Sequence, residues 1–160
     1  MSKSTRATRA LEQAGVAFTV LTYDYDPGAD HIGLQAAAAL GERPERVLKT
    51  LMALVDGKPV CVLVPSDREV SMKKLAAAFG GKSAQMMKPA DAERISGYKV
   101  GGISPFGQMK PSRAAIDAAA MAHDLVTLNG GQRGLQVRLR PQDAAAVLKA
   151  TNVDGVYSAD

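Results

Sequence analysis

The sequence predicts an α/β (mixed α+β) fold: a single domain spanning residues 1–160, with a mixed, mostly antiparallel sheet and helices packed around it. Three observations carry this. Two apolar runs, Val47 to Val55 and Pro59 to Val64, flank Asp56-Gly57, and an Asp-Gly pair between such runs is the strongest short-range hairpin signal. Helix-like segments with Ser, Pro and Gly punctuation mix with the strand-like runs, but without a strict βαβ rhythm. The 160 residues contain no repeat, low-complexity tract or linker, and a chain of that length can bury a substantial core without disulfides.

Each element has a local reason. Ser4 to Gln13 reads as a helix that Ser2 or Ser4 can cap and Gly15 can end. Val16 to Thr22 alternates and is β-branched, hence a strand. Asp26-Pro27-Gly28 is turn chemistry, and His31 to Leu40 reads as a helix closed by Gly41. Ser71 caps a helix to Phe79 that Gly80-Gly81 ends, and Pro89 starts a short helix to Ile95. Leu125–Leu128 and Leu135–Leu139 read as strands joined by a loop, Asn129 to Gly134; Pro141 to Lys149 reads as the last helix.

Composition narrows the class. The formal charge is +4 and the pI about 9.3, which suits a polyanionic partner and equally suits plain solubility. Aromatics make up 4% and Trp is absent, too few for a base-stacking platform, so any RNA contact would rest on phosphates and shape. The single cysteine, Cys61, excludes an internal disulfide and a multi-cysteine zinc site. Met1 to Ala10 lacks an apolar core of signal-peptide type, and Ala36–Leu40 is too short to span a bilayer, so the expected location is the cytoplasm, with no membrane partner.

Few residues stand out for chemistry. Lys49 interrupts an otherwise apolar strand, where it either snorkels to water from the strand's start or lines a pocket and holds an anion or a carbonyl. The loop Gly101-Gly102-Ile103-Ser104-Pro105-Phe106-Gly107 has adjacent glycines that let backbone amides approach a ligand; it is equally readable as a surface turn. Gly130, Gly131 and Gly134 surround Arg133, in a hairpin loop that could also present the guanidinium to a phosphate. Lys73, Lys74, Lys82, Lys88, Lys99, Lys110, Arg113, Arg133 and Arg138 form either solvated faces or a phosphate-tracking surface. Cys61 alternates with valines and reads as core. Asp24 and Asp26 read as turn formers beside Pro27-Gly28. His31 and His123 show no metal spacing, and no Ser-His-Asp set or general base is evident. No cofactor and no metal are expected.

Three segments in order, Arg46 to Leu51, Gly97 to Gly107 and Gly130 to Leu135, resemble the YbaK/EbsC family of aminoacyl-tRNA deacylases, related to the editing domain of bacterial prolyl-tRNA synthetases. The likeness runs from about Leu11 to Val156. Its most specific piece is a Gly-x-x-x-Pro motif matched by Gly101 to Pro105. The closest branch resembles the Cys-tRNA(Pro) deacylases. The resemblance implies a pocket at one end of a mixed sheet, with Lys49 as the essential lysine. It also implies Gly101, Gly102, Ser104 and Pro105 as catalytic loop residues, and Tyr23, Ile32, Thr50, Ile103, Gln136 and Arg133 as substrate-binding residues. The implied chemistry needs no enzyme nucleophile, because the substrate's own thiol attacks its ester and a cyclic thiolactone leaves. Two positions depart from that branch: Gln136 stands in place of Asp and Ile32 in place of Phe.

The expected function is therefore trans-editing of Cys-tRNA(Pro), or Cys-tRNA(Cys), as a hydrolase or, if the thiolactone is the product, a lyase-type enzyme. Aminoacyl-tRNA is the implied substrate and prolyl-tRNA synthetase the implied partner; DNA is not. The alternatives are a deacylase for Ala or Ser, a non-catalytic tRNA- or synthetase-binding module, and a small-molecule hydrolase using Cys61.

Overall fold

The computed structural model describes residues 4–28 and 32–153, with the backbone alone at 32 and 33. His31 and Ser2 lie outside the described residues. Among the described residues eight strands form two sheets. One is antiparallel, in the order β1 (Thr19–Thr22), β7 (Leu135–Leu139), β6 (Val126–Gln132). The other has five strands, in the order β4 (Ala84–Met86), β2 (Leu48–Val55), β3 (Lys58–Pro65), β5 (Arg113–Asp117), β8 (Thr151–Val153). In it β2 is antiparallel to β3 and β4, while β3–β5 and β5–β8 run parallel. A single parallel bridge, Val47 to Thr127, joins the sheets. The mixed, mostly antiparallel character expected from sequence is present, divided between two sheets rather than one.

The β2–β3 hairpin turns at Asp56-Gly57, with φ of 50° and 81°, the left-handed pair of a type I′ turn. The Asp56 carboxylate then accepts from the backbone N–H groups of Lys82 and Ser83 and ties β4 to the hairpin. β3 is buried from Val60 to Pro65 because the five-stranded sheet is covered on both faces, which is why Val60-Cys61-Val62-Leu63-Val64 is a continuous apolar run.

On one face Leu48, Met52, Cys61, Leu63 and Ile116 meet Val126, Leu128, Val137 and Leu139 of the three-stranded sheet. The same core takes Ala7 and Leu11 of α1 (Arg6–Ala14), Ala92 and Ile95 of α4 (Pro89–Ser96) and Ala144 of α5 (Pro141–Leu148). On the other face Val60, Val62, Val64, Ala53 and Val55 pack on Leu75 of α3 (Met72–Ala78). α2 (Ile32–Leu40) sets Ala36 and Ala37 against Val47, with Tyr23 packed alongside. Among the described residues no helix is long and apolar enough to cross a membrane.

Several boundaries differ from the sequence reading. Thr5, not Ser2 or Ser4, caps α1, because Thr8 at the third helical position completes a reciprocal capping box with it. Asn129 to Gln132 is strand rather than loop: a bulge between Asn129 and Gln132 absorbs Gly130-Gly131, and the turn is reduced to Arg133-Gly134. The Ala-rich segment Arg113-Ala114-Ala115-Ile116-Asp117 carries no strong strand signal, yet it is an inner strand, pinned between β3 and β8. Helix α5 stops at Leu148, with Lys149 left-handed at φ 52°.

Two consequences are measurable. Thr5 Oγ1 also donates to the Gly130 carbonyl at 2.5 Å, so Thr5→Ala removes a cap and a tie to β6 together. Its expected cost is about 1–2 kcal/mol, read as a lower denaturation midpoint with an unchanged m value. Burial pushes the Cys61 thiol up to about 12 from 9.0, against a lowering contact from Gln108. The unfolded chain therefore ionises first: the contribution of this burial to stability is complete below pH 9.0 and drains as pH climbs toward about 12. Native protein at pH 8 should leave Cys61 unalkylated by iodoacetamide, with labelling only on unfolding.

Candidate active site

A cavity of about 330 Å³ opens where the two sheets diverge. Its wall includes five consecutive residues of β2, Leu48, Lys49, Thr50, Leu51 and Met52, with Met87, Pro89 and Ala92 from the start of α4. Val100, Gly101 and Ile103 contribute from the loop after α4, and Asn129 and Gln136 from β6 and β7. Met86 and Val100, 48% and 42% exposed, stand in the same wall where it meets solvent.

Consecutive residues of a strand point to opposite faces, so five in a row can border one space only if that space lies against the strand's edge. The geometry of β2 agrees. β4 pairs with β2 over Ala53–Val55 alone, and β6 reaches it only at Val47. Between those contacts, apart from the Met87 N–H that donates to Met52 O at 3.1 Å, no described strand pairs with the edge of β2.

Lys49 and Thr50 thus border the same cavity from opposite faces of β2. The side chain of Lys49 is 19% exposed, and its ammonium lies 3.8 Å from the carboxylate of Glu69, itself 72% exposed. Both readings of this lysine hold a part: it lines the cavity and also reaches toward solvent. Thr50 Oγ1 is buried and has no hydrogen-bond partner. Gln136, on β7, is 3% exposed.

The loop following α4 is fixed from many directions. Asn129 Nδ2 donates to the Gly101 carbonyl at 3.1 Å, Arg133 Nε to Val100 at 2.9 Å, and Gln108 Nε2 to Ser104 at 3.0 Å. Tyr98 Oη donates to the Phe106 carbonyl at 2.6 Å, and Arg6 Nε to Gly107 at 3.0 Å. Phe106 is fully buried and anchors the loop in the main core. Five carbonyls of this segment, those of Val100, Gly101, Ser104, Phe106 and Gly107, are therefore taken by side-chain donors. Among its amides, the Gly102 N–H is used internally, donating to Lys99 O at 2.8 Å. The N–H groups of Gly101 and Ile103, both residues of the cavity wall, have no backbone partner among the described residues.

The glycines are required here. Gly101 has φ 91°, and a Cβ on it would sit 2.5 Å from Tyr25 Oη. A Cβ on Gly102 would lie 2.8 Å from the backbone nitrogen of Arg133 and 3.0 Å from the Gln132 carbonyl carbon, neither of which can swing aside.

Of the residues expected from sequence, Lys49, Thr50, Gly101, Ile103 and Gln136 come together around the cavity. Gly102, Ser104 and Pro105 shape the loop behind that wall; Ser104 is fully buried and its hydroxyl accepts from Phe106 N. Arg133 braces the loop from outside, over the Tyr25 ring at 5.6 Å. Tyr23 stands behind Val47, its hydroxyl unpartnered and its pKa raised by burial and then by Tyr25. The side chain of Ile32 lies outside the described residues. Arg113, stacked over Phe79 at 4.7 Å, and Arg138, paired with Glu42 at 3.0 Å, are engaged within the fold rather than free to track phosphate; Lys73, Lys82, Lys88, Lys99 and Lys110 are exposed. The sequence reading missed Asn129 and Tyr25. Asn129 holds Gly101 and, through Oδ1, the Gly131 N–H at 2.7 Å; its only signal was its place before Gly130-Gly131.

Residues 26–147 match the aminoacyl-tRNA editing domain family. EbsC of Enterococcus faecalis, provisionally assigned as a Cys-tRNA(Pro)/Cys-tRNA(Cys) deacylase, is 32% identical over 94% of this chain and 90% of its own. The multifunctional Ser/Thr-tRNA deacylase ProXp-y of Escherichia coli is 22% identical over 86% of this chain and 83% of its own. A proline–tRNA ligase of Nitratidesulfovibrio vulgaris is 37% identical over 57% of this chain, which spans only 16% of that enzyme. A solved structure provisionally assigned as a trans-editing enzyme for prolyl tRNA synthetase superposes with a TM-score of 0.81 at 21% identity, covering 100% of this chain and 99% of its own. With its fold, its matched span and its full-length likeness to EbsC, the chain belongs to the aminoacyl-tRNA editing domain family.

Proposed function

We propose that this protein is a trans-editing deacylase that clears cysteine from tRNA(Pro), the substrate's own thiol serving as nucleophile. The observation that carries it is the loop braced through its Val100 and Gly101 carbonyls, with the amides of Gly101 and Ile103, two residues of the cavity wall, lacking a backbone partner among the described residues. Fixed N–H donors suit an ester carbonyl on which negative charge develops, and they need no reorganisation when it does.

In the reaction the cysteinyl sulfur attacks the carbonyl of its own ester. The new S–C bond closes a thiolactone, the C–O bond to the ribose breaks, and the thiol proton ends on the ribose oxygen. The enzyme's part is to hold the ester so that sulfur and carbonyl meet. Lys49 places a cation beside the reacting ester or the terminal phosphate. Cys61 takes no part: it is buried in the main core, and its raised pKa keeps it a thiol.

A second reading, deacylation of seryl-tRNA, has its own support. Thr50 Oγ1, which has no hydrogen-bond partner, and the Gln136 amide are hydrogen-bonding groups of residues in the cavity wall, able to hold a substrate hydroxyl, while Gln136 lacks the charge of the Asp expected there.

The test is single-turnover deacylation of tRNA(Pro) charged in turn with Cys, Ser, Ala or Pro. Cys-tRNA(Pro) is expected to turn over fastest, and Lys49→Ala to slow it about 10²-fold or more. Fastest turnover of Ser-tRNA(Pro) would move the assignment to the second reading; no turnover would leave a tRNA- or synthetase-binding module. Gly102→Ala, which drives a Cβ against backbone, is expected to lower kcat at least about tenfold while the protein stays folded by circular dichroism. Cys61→Ser is expected to keep kcat, and a loss that cannot be traced to unfolding would favour a hydrolase with an enzyme thiol.

A further inference from the structure

The bare edge of β2 has a definite polarity. In an antiparallel ladder, alternate residues turn both backbone groups to the partner strand and the residues between turn theirs away. The two-residue turn at Asp56-Gly57 makes Val55 and Lys58 the first pair bonded to each other, so Lys49, Leu51, Ala53 and Val55 face β3. Three hydrogen bonds agree: Val47 O accepts from Ser66 N on the β3 side at 2.8 Å, while Met52 O accepts from Met87 N at 3.1 Å and Asp56 N donates to Ser83 O at 3.0 Å on the β4 side. Thr50 shares the parity of Met52 and Asp56. Its N–H and C=O therefore point to the side that β4 leaves uncovered, which is the side of the cavity.

We propose that the aminoacyl group binds as one residue of an added antiparallel strand on this edge, a proposal that rests on the deacylase reading above. The substrate's α-ammonium donates to the Thr50 carbonyl, and the Thr50 N–H donates to the ester carbonyl, the same exchange that an opposing strand residue would make. This supplies what the side chains of the cavity lack. Among the described residues its wall contains no carboxylate and Lys49 as its one charged residue, and position 136 offers a neutral amide. A backbone carbonyl held in a sheet accepts from an ammonium without bringing a second charge into the cavity. The pairing also fixes which face of the ester turns toward the Gly101 and Ile103 amides, so the two sets of donors act on one oxygen from different sides.

The experiment compares two esters on the wild-type enzyme: Cys-tRNA(Pro), and tRNA(Pro) carrying 2-hydroxy-3-mercaptopropionate, which keeps the thiol and the ester but replaces the ammonium with a hydroxyl. Loss of a charge-assisted hydrogen bond is expected to slow the hydroxy ester about tenfold to hundredfold in kcat/KM. Equal turnover of the two would overturn the edge pairing and leave the deacylase reading standing; no turnover of either would overturn both. Thr50→Val, which keeps both backbone groups and removes the hydroxyl, is expected to preserve the ratio between the two esters. A ratio that collapses to one in that variant would place the ammonium on the Thr50 hydroxyl and overturn the backbone assignment.

Discussion

The arrangement depends on how the loop after α4 is held by its carbonyl oxygens. Val100, Gly101, Ser104, Phe106 and Gly107 each lend a C=O to a side-chain donor, and those donors come from α1, β6, the β6–β7 turn and the loop's own neighbours. A loop in water would lose backbone entropy of about 1–2 kcal/mol per residue on adopting one shape. Here the ordering is offset by burial of Phe106 and by donors already fixed in helix and sheet. Five carbonyls are spent on side-chain donors, while the Gly101 and Ile103 amides have no backbone partner among the described residues. Backbone N–H groups held in this way suit a carbonyl or an oxyanion.

The second requirement is a gap in a sheet. If β4 continued along β2 past Ala53, or β6 past Val47, the edge at Thr50 would be paired and no cavity would form. β4 ends because the chain leaves β2 after Met87, whose N–H still donates to Met52 O, and opens α4 at Pro89, a residue with no N–H to extend a ladder. β6 diverges because it belongs to the other sheet. An unpaired sheet edge is ordinarily a hazard, and proteins cover or charge it. This one is short and recessed, and Lys49 stands beside it.

Much of this was legible in the sequence, for identifiable reasons. The Asp56-Gly57 hairpin, the Ser71 and Pro89 helix starts and the identity of Cys61 as core follow from local chemistry that the fold does not override. Lys49 was conspicuous because an ammonium in an apolar strand needs an explanation, and the adjacent Gly101-Gly102 was conspicuous because it suits close backbone approach. Asn129 was not legible: an Asn before two glycines reads as a turn, and only the bulge that puts Asn129 inside β6 shows that it reaches Gly101. Arg113 to Asp117 escaped because an Ala-rich segment becomes a strand only when β3 and β8 are already beside it. The division into two sheets was likewise beyond local signals, since it depends on where β2 stops pairing.

The same structure explains why the site can tolerate a residue such as Gln136 where a carboxylate was expected. Most of the groups that would grip the common part of an aminoacyl ester are backbone atoms: the amides of Gly101 and Ile103 and the outward groups of Thr50. Side-chain substitution does not remove them; only a change of backbone path does, which is why glycine is required at 101 and 102. On the proposed pairing, the side chains left to vary, chiefly those of Thr50, Met52, Met87 and Gln136, would border the part of the substrate that differs between amino acids. Discrimination between a thiol and a hydroxyl of similar size cannot come from cavity volume alone, because hydrophobic pockets separate near-isosteres poorly. A substrate thiol in this cavity needs only an apolar wall and freedom to reach its carbonyl, which Met52 and Met87 allow. A hydroxyl needs a partner for its proton before it can leave water, and Thr50 and Gln136 offer one. On the proposed reading, the competition between those two demands, rather than any difference in the ester-binding backbone, would decide which amino acid is removed.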